Sequence, residues 1–256
     1  FASLAKVAAE DIAIHLEFDT GMRRLGFQKK EIPLLVSKLK ESPNLKIASI
    51  FSHLAGADDI TLDAFSAQQI ADFEHISSTV EIQLNIKTLK HLANTAAIER
   101  LPSASFDMVR MGIGLYGITT LEENDVLRPV GTFKSYISQI KTVPANAGVG
   151  YGQHSKSNTE RQIAIVAVGY ADGYSRSFSQ GHGSFLINEK QAPIVGNVCM
   201  DMTMCDVTSI VCEEGDEVII FGENPRVSEL AKQIGTIPYE ILTNVSERVN
   251  RVFYQE

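Results

Sequence analysis

The chain has 256 residues, with 31 Asp and Glu against 23 Lys and Arg, a net charge of −8 and 44% hydrophobic residues. That composition describes a globular chain of one large or two smaller domains. The acidic balance, without a basic cluster, argues against nucleic acid or an anionic membrane surface as a partner. The most apolar run, IAIVAVGYA, is too short to cross a bilayer, and no secretory leader is readable at the start. Three cysteines, at 199, 205 and 212, are odd in number and lack C-x-x-C spacing. They read as buried or half-buried free thiols of strands rather than a zinc site or a disulfide framework. A reducing, cytoplasmic setting with no metal is the expectation.

In chain order, FASLAKVAAED reads as a helix, and an opening inside an element implies a truncated or processed product. AIHLEFD is the first strand. QKKEIPLLVSKLKES has apolar residues at helical spacing, and KIASIFSHL is the next strand. TLDAFSAQQIADFEHISSTV is a long helix. IKTLKHLAN follows, and FDMVRMGIGLYG is the last strand of this half. Strands alternating with helices imply βαβ units and a parallel sheet. Asp19, His53, Asn94 and Arg110 fall where strands end, the position from which barrels present their chemistry. About four strand units are present, half of what a full barrel requires.

Residues 118–130 read as a linker. Beyond them TFKSYISQIKTV, RQIAIVAVGYA, SFLINEKQAPIVGNV, DMTMCDV and DEVIIFG are strand-like with turn residues between. VSELAKQIG and IPYEILTNVSERV are helical, and RVFYQE is a candidate final strand. The expected fold is α/β plus β. Residues 1–120 form the C-terminal half of a (β/α)8 barrel, and residues 121–256 form a mostly-β domain.

Five segments occur in a fixed order: HLEFDTGMRRLGF (15–27), HLANTAAIER (91–100), FDMVRMGIGLYG (106–117), VGYADGYSR (168–176) and GNVCMDM (196–202). In this series the chain resembles the alanine racemase family over nearly its whole length. The resemblance implies a barrel holding pyridoxal 5'-phosphate (PLP), a following β domain, a small amino acid as substrate and a head-to-tail homodimer. It makes Tyr170 the base on one face of the substrate, presented to the other subunit and oriented by His53. A free phenol titrates near pH 10, so that role demands a nearby cation or hydrogen bond.

By the same resemblance Arg110 faces the pyridine nitrogen of PLP. A guanidinium only donates, so the nitrogen stays unprotonated and the ring is a weaker electron sink. Asn94 and Thr95, with the backbone of Gly112 and Ile113, are implied for the phosphate. Arg24 is implied for the substrate carboxylate, and Met200 with Asp201 for the site entrance. Members of the family often hold the Arg24 equivalent with a carbamylated lysine. That position is Glu17 here, and its carboxylate is expected to take over the job.

Two departures stand out. A tyrosine that touches the phosphate in many members is replaced by Glu247, which cannot donate when ionised. No lysine has the K-x-x-A-Y-G context of the cofactor anchor, since Lys29, Lys30 and Lys87 lie in helical or loop-like surroundings. The expectation is therefore a racemase for alanine, present as a chain inactive by itself. A racemase for another amino acid such as serine, and a non-catalytic associating fragment, are the alternatives.

Overall fold

The computed structural model describes residues 10–119 and 127–254. The chain divides into two compact units. One runs to Leu115; the other comprises Tyr116–Ile118 and the residues from Arg128 onward. The expected opening helix lies outside the described residues, except for its last two, Glu10 and Asp11, which are not helical.

The first unit is built on a three-stranded parallel sheet, β1 (Ile12–Glu17), β2 (Leu45–Phe51) and β3 (Leu89–His91), in that spatial order. A register shift between Ile14 and His15 sets His15 opposite Ser49 and Glu17 opposite Phe51, while His91 lies opposite Phe51 on the other side. Helix α1 (Ile32–Lys40) buries Ile32, Leu35, Val36 and Leu39, the i, i+3, i+4, i+7 stripe of an amphipathic helix. Pro33 sits in its first turn, where the missing N–H costs nothing, and Lys38 and Lys40 oppose the dipole at its end.

Helix α2 (Asp63–Leu84) buries Ser66, Gln69, Phe73, Ile76, Ser77 and Val80 along one face and stops at Asn85, in the left-handed conformation. Phe73 packs edge-on against Phe106 at 5.0 Å, inside a core with Phe18, Ile50, Ile76 and Leu92. Helix α3 (Thr95–Arg100) is capped by the Asn94 side chain, which accepts from the Ala97 N–H.

FDMVRMGIGLYG does not form the fourth strand expected from its apolar residues. It makes one parallel bridge, Met108 to His91, and then curls into a short turn at Ile113–Tyr116. The cause is local. Thr95 Oγ1 accepts from the N–H groups of both Gly112 and Gly114, and those donors are lost to any ladder.

The second unit is an antiparallel sheet of six strands. They are β4 (Phe133–Val143), β5 (Arg161–Val166), β6 (Ser184–Ile187), β7 (Lys190–Pro193), β8 (Thr203–Asp206) and β9 (Glu217–Phe221). Their spatial order is β7-β6-β9-β4-β5-β8. Buried Phe133, Ser135 and Ile137 alternate with exposed neighbours along β4, the pattern of a one-sided sheet. Phe178, Phe185, Ile187, Ile194 and Ile220 fill its core. Helices α4 (Val227–Gln233) and α5 (Pro238–Thr243) follow. The helix expected through 249 ends at Thr243. Residues 251–254 are exposed and unpaired with any strand, so RVFY is not the final strand.

Of the thiols, Cys205 is buried in β8 and pushed up to about 12 by that burial. Cys199 and Cys212 are half-buried and lie in loops, not in strands. No helix among the described residues is long and apolar enough to cross a membrane.

Candidate active site

The carboxyl ends of β1, β2 and β3 carry Asp19, His53 and Asn94, and the backbone of Arg110 is hung on the same edge. Its N–H donates to Ala93 O at 2.9 Å. The guanidinium then reaches back under the strand ends. Nη2 donates to Ser52 O at 2.7 Å and Leu92 O at 3.4 Å; Nη1 donates to His91 O at 3.2 Å and to His91 Nδ1. Its carbon lies 5.3 Å over the Phe51 ring, which stacks flat on the His91 ring at 4.9 Å. The Nε–H alone has no partner among the described residues. Burial lowers the Arg110 pKa, and the charge of Glu17 opposes that shift.

Behind Arg110 runs a chain of side chains that motif reading passed over. His91 is pushed down to about 4, by burial first and then by the charges of Arg110 and His15. It is therefore neutral at pH 7. A neutral ring that accepts from a guanidinium at Nδ1 must carry its proton on Nε2. Nε2 lies 2.9 Å from Ser49 Oγ and so donates to it. The Ser49 hydroxyl hydrogen is then free to point at His15 Nδ1, 2.5 Å away. Polar residues at 15, 49 and 91, inside otherwise apolar strands and on one face, were the available signal. Period-2 alternation makes such residues neighbours once the register is known.

His53 is half-buried. Its pKa is lowered by burial first and then by the charges of Arg110 and Arg24. Both arginines thus act electrostatically on one imidazole. Arg24 itself is exposed, in the 19–28 loop. Asp19 Oδ1 accepts from the N–H groups of Gly21 and Arg23, each at 2.9 Å, and shapes that loop. Asp19, Gly21, Arg23, Arg24, Leu25, Gly26 and Gln28 line an open cleft of about 580 Å³.

The expected pairing of Glu17 with Arg24 is not formed: no ion pair joins them among the described residues, and the field of Glu17 is felt at Arg110. Glu17 ends β1, whereas Arg24 sits out on the loop that β1 feeds. The expected phosphate ligands are partly committed already. Asn94 Oδ1 caps α3, and the Gly112 N–H is taken by Thr95. Ile113, buried at the start of its turn, keeps an N–H without a partner among the described residues.

In the second unit Tyr170 opens the short turn Tyr170–Asp172 and is 44% exposed, open to a ligand. The turn is stitched at every side. Tyr170 N–H donates to Cys199 O at 3.0 Å and Ala171 N–H to Met200 O at 2.8 Å. Gly169 lies so close that a Cβ would sit 2.3 Å from Cys199 O. The buried Asp172 accepts from Gly169 N–H through Oδ2 and from Arg248 Nε through Oδ1, both at 2.9 Å. Ser246 N–H donates to Asp172 O. Tyr170 and Met200 are therefore neighbours, with exposed Asp201 next in sequence. Asp172 and Arg248, which hold the turn, were not singled out in the sequence. Burial raises the Cys199 thiol, which fits a bystander rather than a nucleophile. Among the described residues no group of three or more His, Cys, Asp or Glu is placed to hold a metal ion.

The first unit is thus a parallel α/β fold with an anchored cation at its strand ends, and the second is a β unit that presents an exposed tyrosine. Residues 1–120 match the family model described as "Alanine racemase, N-terminal domain", and residues 130–253 match "Alanine racemase, C-terminal domain". The chain belongs to the alanine racemase family.

It is 39% identical, over 252 residues, to "Alanine racemase 2" of Caldanaerobacter subterraneus subsp. tengcongensis, covering 94% of this chain and 64% of that protein. The chain thus spans somewhat under two thirds of that relative. Alanine racemase from D-cycloserine-producing Streptomyces lavendulae superposes with a TM-score of 0.91 at 31% identity, over 99% of this chain and 69% of that one. Alanine racemase from Bartonella henselae, solved with covalently bound pyridoxal phosphate, gives 0.86 at 28% identity, over 98% and 69% of the two chains.

Proposed function

We propose that this chain supplies the cofactor-tuning and second-base parts of a PLP-dependent racemase that interconverts L- and D-alanine, working as a head-to-tail homodimer in the cytoplasm. The observation that carries the proposal is Arg110. Its guanidinium is fixed by three carbonyls and His91, and it keeps one unpartnered donor, Nε–H. That donor fits a pyridine nitrogen, which it would hold unprotonated. Ile113 N–H is an uncommitted donor for the phosphate; Thr95 holds the Gly112 and Gly114 N–H groups on either side of it, and Asn94 caps the helix that Thr95 opens. When bound, PLP supplies an electron-withdrawing ring that acidifies the α-hydrogen of an amino acid.

The chain's own residues do the rest. Arg24 binds the substrate carboxylate, with Met200 and Asp201 bordering it. Tyr170 removes or returns the proton at Cα on one face, and His53 orients its phenol. The parallel sheet of the first unit belongs to a (β/α)8 barrel. The amine that must hold the cofactor covalently is not supplied by the described lysines of the first unit. Lys29, Lys30, Lys38, Lys40, Lys46 and Lys87 are exposed, and Lys90 is paired with Glu81 at 2.8 Å. By itself the chain therefore binds PLP without racemising alanine.

Equilibrium titration of the purified chain with PLP tests the first part. Arg110→Lys is expected to weaken binding at least tenfold, about 1.4 kcal/mol; an unchanged Kd would sink the assignment. Measurable D-alanine from L-alanine and PLP would overturn the inactivity of the lone chain.

A further inference from the structure

Gln69 is a polar side chain in the apolar stripe of α2, and it is completely buried. Burying an amide is costly unless its hydrogen-bonding groups are matched. Here they are, and the partners are not from its own helix. Oε1 accepts from Ala55 N–H at 3.0 Å; Nε2 donates to His53 O at 3.1 Å and to Thr20 Oγ1 at 3.2 Å. Thr20 in turn bonds Ser52 Oγ at 2.8 Å. Gly21 lies against the same spot: a Cβ there would stand 3.2 Å from Gln69 Nε2 and 2.7 Å from the Phe65 ring.

One side chain thus bridges two loops that have no backbone hydrogen bond to each other beyond the strand ends. The loop leaving β1 carries Arg24. The loop leaving β2 carries His53. Among the described residues the other buried polar side chains of α2 do nothing of the kind: Ser77 bonds only Glu74 O in its own helix, and Ser66 Oγ has no partner.

We propose that Gln69 is a positioning residue that locks the loops after β1 and β2 together and so fixes His53 and Arg24 relative to each other. The functional meaning rests on the reading of those two residues given above; the locking itself does not. Because Nε2 holds the His53 carbonyl and the Thr20 hydroxyl, the two donors do the bridging. Oε1 only holds Ala55. The two halves of the amide are therefore separable by substitution.

The test is amide hydrogen exchange on the intact chain, together with NMR titration of the His53 ring, whose charged neighbours are Arg110 and Arg24. Gln69→Leu is expected to raise exchange at Ala55 and Gly21 at least tenfold and to move the His53 midpoint upward as its cover loosens. Gln69→Glu keeps an acceptor for Ala55 and loses both donors. It is expected to free Gly21 and shift His53 while Ala55 stays protected, and it decides the matter if the leucine variant does not fold. Ser77→Ala is the same-helix control and is expected to leave the His53 midpoint in place. Exchange that rises evenly through α2 and the sheet, or that does not change, overturns the proposal. Failure of the active-site reading is scored separately: Arg24→Gln or His53→Ala leaving PLP and alanine binding unaltered would remove the loops' proposed purpose while the exchange result stands.

Discussion

Acidification should expose the His91 chain as a stability switch. His91 is 5% exposed, its ring stacked on Phe51 and bonded at Nδ1 by the Arg110 guanidinium, and its pKa falls from 6.5 to about 4 in the folded chain. A histidine whose folded value is depressed binds its proton better when unfolded. Its neutral form therefore costs nothing above pH 6.5, and stability is lost as pH falls from 6.5 towards 4. With the value lowered from 6.5 to about 4, the full loss is about 3 kcal/mol. By pH 5 the linkage expression gives about 2 kcal/mol. Denaturant unfolding of the first unit, followed at pH 7.5, 6.5, 5.5 and 5.0, measures it. His91→Gln keeps a polar group near Arg110 but cannot titrate, so the difference between the two pH profiles isolates His91 from the carboxylates. Parallel profiles for the two proteins would refute the assignment of a buried neutral imidazole. They would also remove the reason for placing its proton on Nε2.

Three further outcomes follow from the packing. Asp172→Asn should cost about 1.5–3 kcal/mol through the charge-assisted bond to Gly169 N–H. Its coupling to Arg248→Gln in a double-mutant cycle should be only about 0.2–1 kcal/mol, because Arg248 is half exposed; a coupling of several kcal/mol would show the pair to be drier than described. Gly173→Ala should lose at least about 1–3 kcal/mol, since Gly173 has φ +107° and a Cβ would lie 2.3 Å from Asn244 O; calorimetry that finds a stabilised variant contradicts this geometry. Phe73→Ala should cost about 3–5 kcal/mol by denaturant melting, because the ring is fully buried against Phe106.

The sequence displayed some of these arrangements and hid others, for identifiable reasons. Helix α1 was legible because Ile32, Leu35, Val36 and Leu39 repeat at helical spacing, and the strands of the second unit because they alternate. The segment 106–117 misled because its apolar residues look like a strand, whereas one threonine hydroxyl, 17 residues from Gly112, captures the backbone. The motifs marked Tyr170, Arg110 and His53 as chemistry. They said nothing of His91, Ser49, Gln69 or Arg248, whose meaning comes from contacts across 14 to 76 positions, as in Gln69–Ala55 and in Arg248–Asp172 (248 less 172). Glu17 shows the opposite failure. A role carried over from a motif attached it to Arg24, but the carboxylate is felt at Arg110.

The stitching of the Tyr170 turn also bears on the order in which the chain can be assembled. β4 cannot complete its ladder until β9 has been synthesised, and the Lys134–Glu217 contact alone spans 83 residues. Pairings that distant close slowly. The turn is fastened later still, because Ser246 and Arg248 lie beyond β9 and both helices that follow it. A nascent chain stalled short of Ser246 thus has its whole sheet closed while the Tyr170 turn, already held through Cys199 and Met200, still lacks the Ser246 and Arg248 bonds to Asp172. Premature termination there would yield a closed sheet whose exposed Tyr170 stands on a turn without its C-terminal fastenings.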